Sequence, residues 1–146
     1  AGVTYRKEVH GDLWWMSAEL PSGRKLWYFK PTWRLSETPW GQQQVKVSYM
    51  AYKNGRMSRL DLYGGILTEN VVQALARDIM ANALMSTRAA GHRPVLTVHD
   101  ELVNEVLEGT ADEAETESLM LQQPEWVSRY RIPIAAETWK ARRFRK

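Results

Sequence analysis

The sequence predicts an α+β fold in which antiparallel β-hairpins are followed by helices packed on a sheet. Three observations lead there. Aromatic-rich and β-branched runs separated by turn signals fill residues 1–62. One long stretch near the middle repeats apolar residues at helical spacing. A short apolar strand pair interrupted by three titratable residues follows it.

The elements are read in order. Leu13–Leu20 and Lys25–Lys30 flank Pro21-Ser22-Gly23, a turn signal, and form the first hairpin. Val45–Tyr52 and Arg56–Leu62 flank Asn54-Gly55, two residues that tolerate the positive φ of a two-residue hairpin turn. Between the hairpins, Pro31–Gly41 holds two Pro, two Trp and a Gly and reads as an irregular crossover loop. After Tyr63-Gly64-Gly65, residues 66–90 predict one long helix with Thr68 as the N-cap. Val72, Leu75, Ala76, Ile79 and Ala83 give it an apolar face, and Gly91 ends it. Val95–Val98 and Leu102–Leu107 predict two short strands around His99-Asp100-Glu101. Thr110-Ala111-Asp112-Glu113 fits a capping box opening a helix over about 110–122, and Pro124 stops it. Short extended pieces complete the chain around Pro133.

Composition narrows the function classes. The 146 residues suit a single domain and can bury a sizeable core. The chain has no Cys, so a disulfide framework and a thiolate metal site are excluded, and a reducing cytoplasm is permitted. No apolar run reaches the ~18 residues of a membrane span, and Asp12, Ser17 and Glu19 interrupt any secretory signal around Trp14–Met16. A start at Ala1 implies a removed Met or a piece of a longer chain. The net charge is +3, with Lys140, Arg142, Arg143, Arg145 and Lys146 at the end, a basic tail suited to a polyanion or simply to solvent. Seven Trp serve a core, a stacking platform or an interface, and composition does not choose among them.

His99-Asp100-Glu101 is the most informative point. Side chains alternate along an extended strand, so Asp100 and Glu101 need a tight turn to share one rim. Two carboxylates at a strand tip repel unless something offsets them. A divalent cation does so, and Mg²⁺ takes one or two protein carboxylates plus water and phosphates. A polar hairpin turn also carries Asp and Glu for no chemical reason, and the neighbouring residues separate the two readings.

Thr97-Val98-His99-Asp100-Glu101-Leu102-Val103-Asn104-Glu105-Val106 resembles motif C of family A (polymerase I-like) DNA polymerases, in the wording of phage members. Thr68-Glu69-Asn70-Val71-Val72-Gln73-Ala74-Leu75-Ala76-Arg77-Asp78-Ile79 resembles the palm helix that precedes it. Leu20–Leu26, Tyr63-Gly64-Gly65 and the segments around Pro124 and Ile132–Glu137 extend the similarity over most of the chain.

The resemblance implies a C-terminal palm segment. Asp100 would bind catalytic metal and Glu101 would support it. His99 would lie near the primer terminus, and Gln73 would meet DNA in the minor groove, where acceptors are similar for all correct pairs. Asn70 and Arg77 share an arc of the helix with Gln73 and join it as candidate DNA contacts. The implied cofactor is Mg²⁺, in a two-metal site. The implied partners are a DNA primer-template, deoxynucleoside triphosphates and a second polypeptide with motifs A and B, in the cytoplasm of a phage-infected cell. No Asp-Tyr-Ser-like motif A stretch and no fingers helix occur among these residues, because Asp12, Asp61 and Asp78 sit in other contexts. The chain alone is therefore expected to be inactive. A non-catalytic DNA-binding remnant or an excised fragment is the alternative.

Overall fold

The computed structural model describes residues 2–144. The chain forms two compact units, Ala1–Gln73 and Ala74–Lys146. The boundary falls inside a continuous helix, so no linker composition marks it.

The first unit is a five-stranded antiparallel meander in the order β1-β2-β3-β4-β5, followed by the start of helix α1. The strands are β1 (Thr4–His10), β2 (Leu13–Glu19), β3 (Lys25–Glu37), β4 (Gln43–Lys53) and β5 (Arg56–Leu62). Ala18, Tyr28 and Leu62 are the buried centre, and Met16, Leu26, Val47, Tyr49, Ile66 and Leu67 pack around them. The Tyr28 and Tyr49 rings meet edge to face at 5.2 Å. Burial pushes the Tyr28 phenol above its ordinary range, opposed in part by the hydrogen bond from Asn70.

One expectation is overturned here. Pro31–Gly41 is not a crossover loop, because β3 runs through Pro31 to Glu37 and turns directly into β4. The register shifts between Phe29 and Thr32, and Lys30 has φ 42°. At such a bulge Pro31 owes no N–H to the ladder, so proline does not break the strand. Gly41 donates to the Thr38 carbonyl and Thr38 to that of Gln42, closing a three-residue turn with Gly41 at φ 77°. The Pro21-Ser22-Gly23 turn closes in the same way. Pro39-Trp40-Gly41 repeats that Pro-X-Gly signature, and it was the signal for a third hairpin.

Helix α1 spans Gly64–Ala89. Thr68 is not its cap, since Leu67 already donates to the Tyr63 carbonyl and the two glycines form the first turn. Gly91, at φ 92°, donates to Arg88, and His92 donates to Thr87. This pair of bonds is the left-handed glycine stop that the sequence predicts. The apolar face is met in part: Ala83 is buried and Leu75 and Ile79 are half-buried as expected, but Val72 and Ala76 are exposed, and Ala74 and Thr87 are buried as well. In the first unit the helix turns Ile66, Leu67 and Asn70 inward, so one stripe does not serve its whole length.

In the second unit, β6 (Arg93–Val98) pairs with β7 (Glu101–Glu105) in a separate two-stranded sheet. Helix α2 is Glu113–Met120, and its cap is Asp112, not Thr110. The Asp112 carboxylate accepts from the Glu115 N–H at 3.0 Å, whereas the Thr110 hydroxyl donates back to Leu107. Two overlapping cap patterns occur two residues apart, and the side chain free to reach forward won. Pro124 opens a further short helix, α3 (Glu125–Arg129), where extended pieces were expected. It ends with Arg131 in the left-handed region, with Ile132 donating to Val127 across the turn.

Candidate active site

The β6–β7 hairpin turns on two residues. Val98 pairs with Glu101, so His99 and Asp100 form the loop and Glu101 is the first residue of β7. His99 takes φ 53°. The first position of such a turn favours Gly, and a side chain held there stores strain of about 1 kcal/mol or more. Strain of this kind concentrates at functional sites.

His99, Asp100 and Glu101 are all exposed. Asp100 and Glu101 both line a cleft of about 570 Å³ in the second unit. His99 and Arg77 do not line it. The cleft floor is apolar, with Ile79, Met80 and Ala83 of α1 and Met120 of α2. Asn104 and Thr138 also line it, and each keeps a buried side-chain oxygen without a hydrogen-bond partner among the described residues. Asn104 stands in the stretch that resembles motif C, and its place two residues beyond Leu102 was the available clue.

Lys140 and Arg143 bring positive charge to the same cleft. The basic end is also partly engaged within the chain. Arg142 donates to Glu108 at 2.7 Å, and Lys140 pairs with Glu113 at 3.7 Å. Arg145 and Lys146 lie outside the described residues.

Of the helix candidates, Asn70 donates its side-chain amide to the Tyr28 hydroxyl at 3.2 Å. It therefore ties α1 to the sheet within the first unit. Gln73 and Arg77 are exposed.

Two adjacent carboxylates on a turn supply the oxygen ligands that a hard divalent cation takes from protein. No group of three or more His, Asp or Glu is gathered to hold an ion among the described residues. The turn thus offers two carboxylates to such an ion but no gathered ligand set among the described residues. No helix among the described residues is long and apolar enough to cross a membrane.

No family model matches the chain. No solved structure matches it either. Among curated proteins, the chain is 38% identical over 119 residues to a DNA polymerase of Bacillus phage SP02. The match covers 82% of this chain and 18% of that protein, so the chain spans under a fifth of the length of its relative. The chain is thus similar to one segment of a phage DNA polymerase.

Proposed function

We propose that this chain is the C-terminal palm segment of a DNA-directed DNA polymerase of family A and supplies its motif C carboxylates. The similarity to a phage DNA polymerase over 82% of the chain carries the reading. The exposed Asp100-Glu101 pair on a strained turn supports it.

In this reading the primer 3′-oxygen bonds to the α-phosphorus of the incoming nucleotide, and pyrophosphate leaves. Asp100 and Glu101 would hold Mg²⁺, which supplies charge neutralisation at the phosphates and a more acidic 3′-hydroxyl. Asp100 would be the principal ligand and Glu101 the supporting one. His99 lies at the primer terminus. Gln73 and Arg77 meet the primer-template, while Asn70 serves them by fixing the helix through Tyr28. The exclusion of water and the orientation of the triphosphate fall to motifs A and B, which lie outside these residues on a second polypeptide or in a longer chain.

Primer extension tests this. The purified chain, Mg²⁺, nucleotides and a primer-template are combined with and without upstream proteins from the same source. Extension only in the mixture supports the reading. Extension by the chain alone would place the second carboxylate within these residues. DNA binding without extension in any mixture would favour a non-catalytic remnant.

A further inference from the structure

The distal half of the β3–β4 hairpin stands apart from the sheet that carries it. On one side, β2 pairs with β3 only as far as Phe29. On the other, β5 pairs with β4 only from Val47 onward. Residues 34–46 therefore form a two-stranded arm whose strands pair only with each other. Its two faces differ. Trp33, Leu35 and Val45 lie on the face that continues the core side of the sheet, and they are exposed. Trp40 sits at the tip and is 85% exposed.

The opposite face is cationic. Arg34 and Lys46 are cross-strand partners. Like charges directly opposite destabilise a ladder. Neither has an ion-pair partner among the described residues. At the base of the arm, Arg59 lies on the same face. Its guanidinium donates to the Thr32 hydroxyl at 2.8 Å and to the Lys30 carbonyl at 3.3 Å. These bonds aim the group without neutralising it. The one carboxylate on this stretch of the face is Asp61, across from Ser48.

A pair of unneutralised cations held in register on an unsupported ribbon has a cost that an external polyanion removes. We propose that the arm is a DNA-backbone clamp, with Arg34, Lys46 and Arg59 of the first unit binding phosphates. Phosphate recognition suits Arg, whose planar fork reaches two oxygens at once. A two-stranded ribbon also has the width that a duplex major groove admits. The choice of DNA as the polyanion rests on the polymerase reading, but the binding does not require polymerisation.

The test is fluorescence anisotropy of a labelled DNA duplex with the full chain, over a series of salt concentrations. The R34Q/K46Q double variant is expected to weaken binding about tenfold and to flatten the slope of log K against log salt by about 2, one step of roughly 0.9 for each lost phosphate. Its thermal stability is expected to be unchanged or slightly higher, because the repulsion is gone. The R34K/K46R exchange should keep most of the affinity. Removing two cations elsewhere, Arg93→Gln with Arg129→Gln, should leave the slope nearly unaltered. Binding is read without nucleotides or extension, so that a failed catalytic reading is not mistaken for a failed clamp. Equal losses in both double variants, or an unaltered slope in R34Q/K46Q, would overturn the proposal. Arm-dependent binding to polyglutamate but not to DNA would overturn it too, in favour of an acidic protein partner.

Discussion

Glu8 in the first unit and the Asp100-Glu101 pair in the second are both carboxylates on antiparallel strands or their turns. Their surroundings differ. Glu8 accepts from Lys25 at 2.9 Å and from the Ser17 hydroxyl at 3.0 Å. The Lys25 hydrogen bond, followed by that of Ser17, holds its carboxyl below the ordinary value of 4.5. Lys25 also lies over the Trp27 ring, so the cation is shared between an acid and an aromatic face. Asp100 and Glu101 have no such neighbours among the described residues and sit beside a residue with strained backbone. A carboxylate satisfied by its own fold is spoken for. An adjacent exposed pair without partners among the described residues is available to a ligand. The difference marks Asp100 and Glu101 as the acids to test.

The sharpest way to break this comparison is Asp100→Ala in the reconstituted polymerase. In the proposed reading a metal ligand is lost, and kcat should fall by roughly a thousandfold, with circular dichroism unchanged. Survival of activity within a few fold would remove the metal role. Glu101→Ala should do less damage.

The next effect is on stability and belongs to the first unit. Leu62→Ala opens a cavity beside Ala18 and Tyr28 and should cost about 2–5 kcal/mol, read from the urea midpoint. Tyr28→Phe should cost about 1 kcal/mol, since it leaves the Asn70 amide without its acceptor. The raised phenol pKa means that this unit's stability is intact below the ordinary tyrosine value of 10.0 and falls as pH rises beyond it. The Phe variant should lose that alkaline dependence.

His99→Gly sharpens the contrast at the turn. Relief of the positive φ should raise stability by at most about 1 kcal/mol, while primer extension falls. A loss of stability would show that His99 is held by its packing. The smallest effect is expected from Glu8→Gln. A depressed carboxyl pKa contributes stability above its ordinary range, and that contribution is lost as pH falls through the folded value. The Gln variant should show a shallower acid limb in denaturation between pH 5 and 3 (about the ordinary carboxylate range) and little change at neutral pH.

Much of the local structure was legible because its cause is local. Asn54-Gly55 closes a hairpin with φ of 51° and 78°, since those residues tolerate positive φ and few others do. Gly91 stops the long helix for the same reason. The His99–Glu101 turn was legible from two apolar strands bracketing polar residues. Other features depended on neighbours. Pro31 was read as a breaker, yet the bulge beside it removes the demand for its N–H. The buried face of α1 was misread only at Val72 and Ala76, which look apolar, because burial is decided by what each part of the helix packs against. Asn70 looked like a surface amide until Tyr28, 42 residues away in sequence, supplied its acceptor.

By itself the sequence determined the strand-turn-helix order, the acidic turn and the resemblance to a polymerase palm, because backbone propensity, turn chemistry and motif spacing act over a few residues. Only the tertiary structure decided that the Trp-bearing hairpin continues as a two-stranded arm with opposed cations, and that Asp100 and Glu101 share a cleft with Asn104. Register and burial arise between segments distant in the chain, where hydrogen bonding and desolvation are settled by partners that no local pattern specifies.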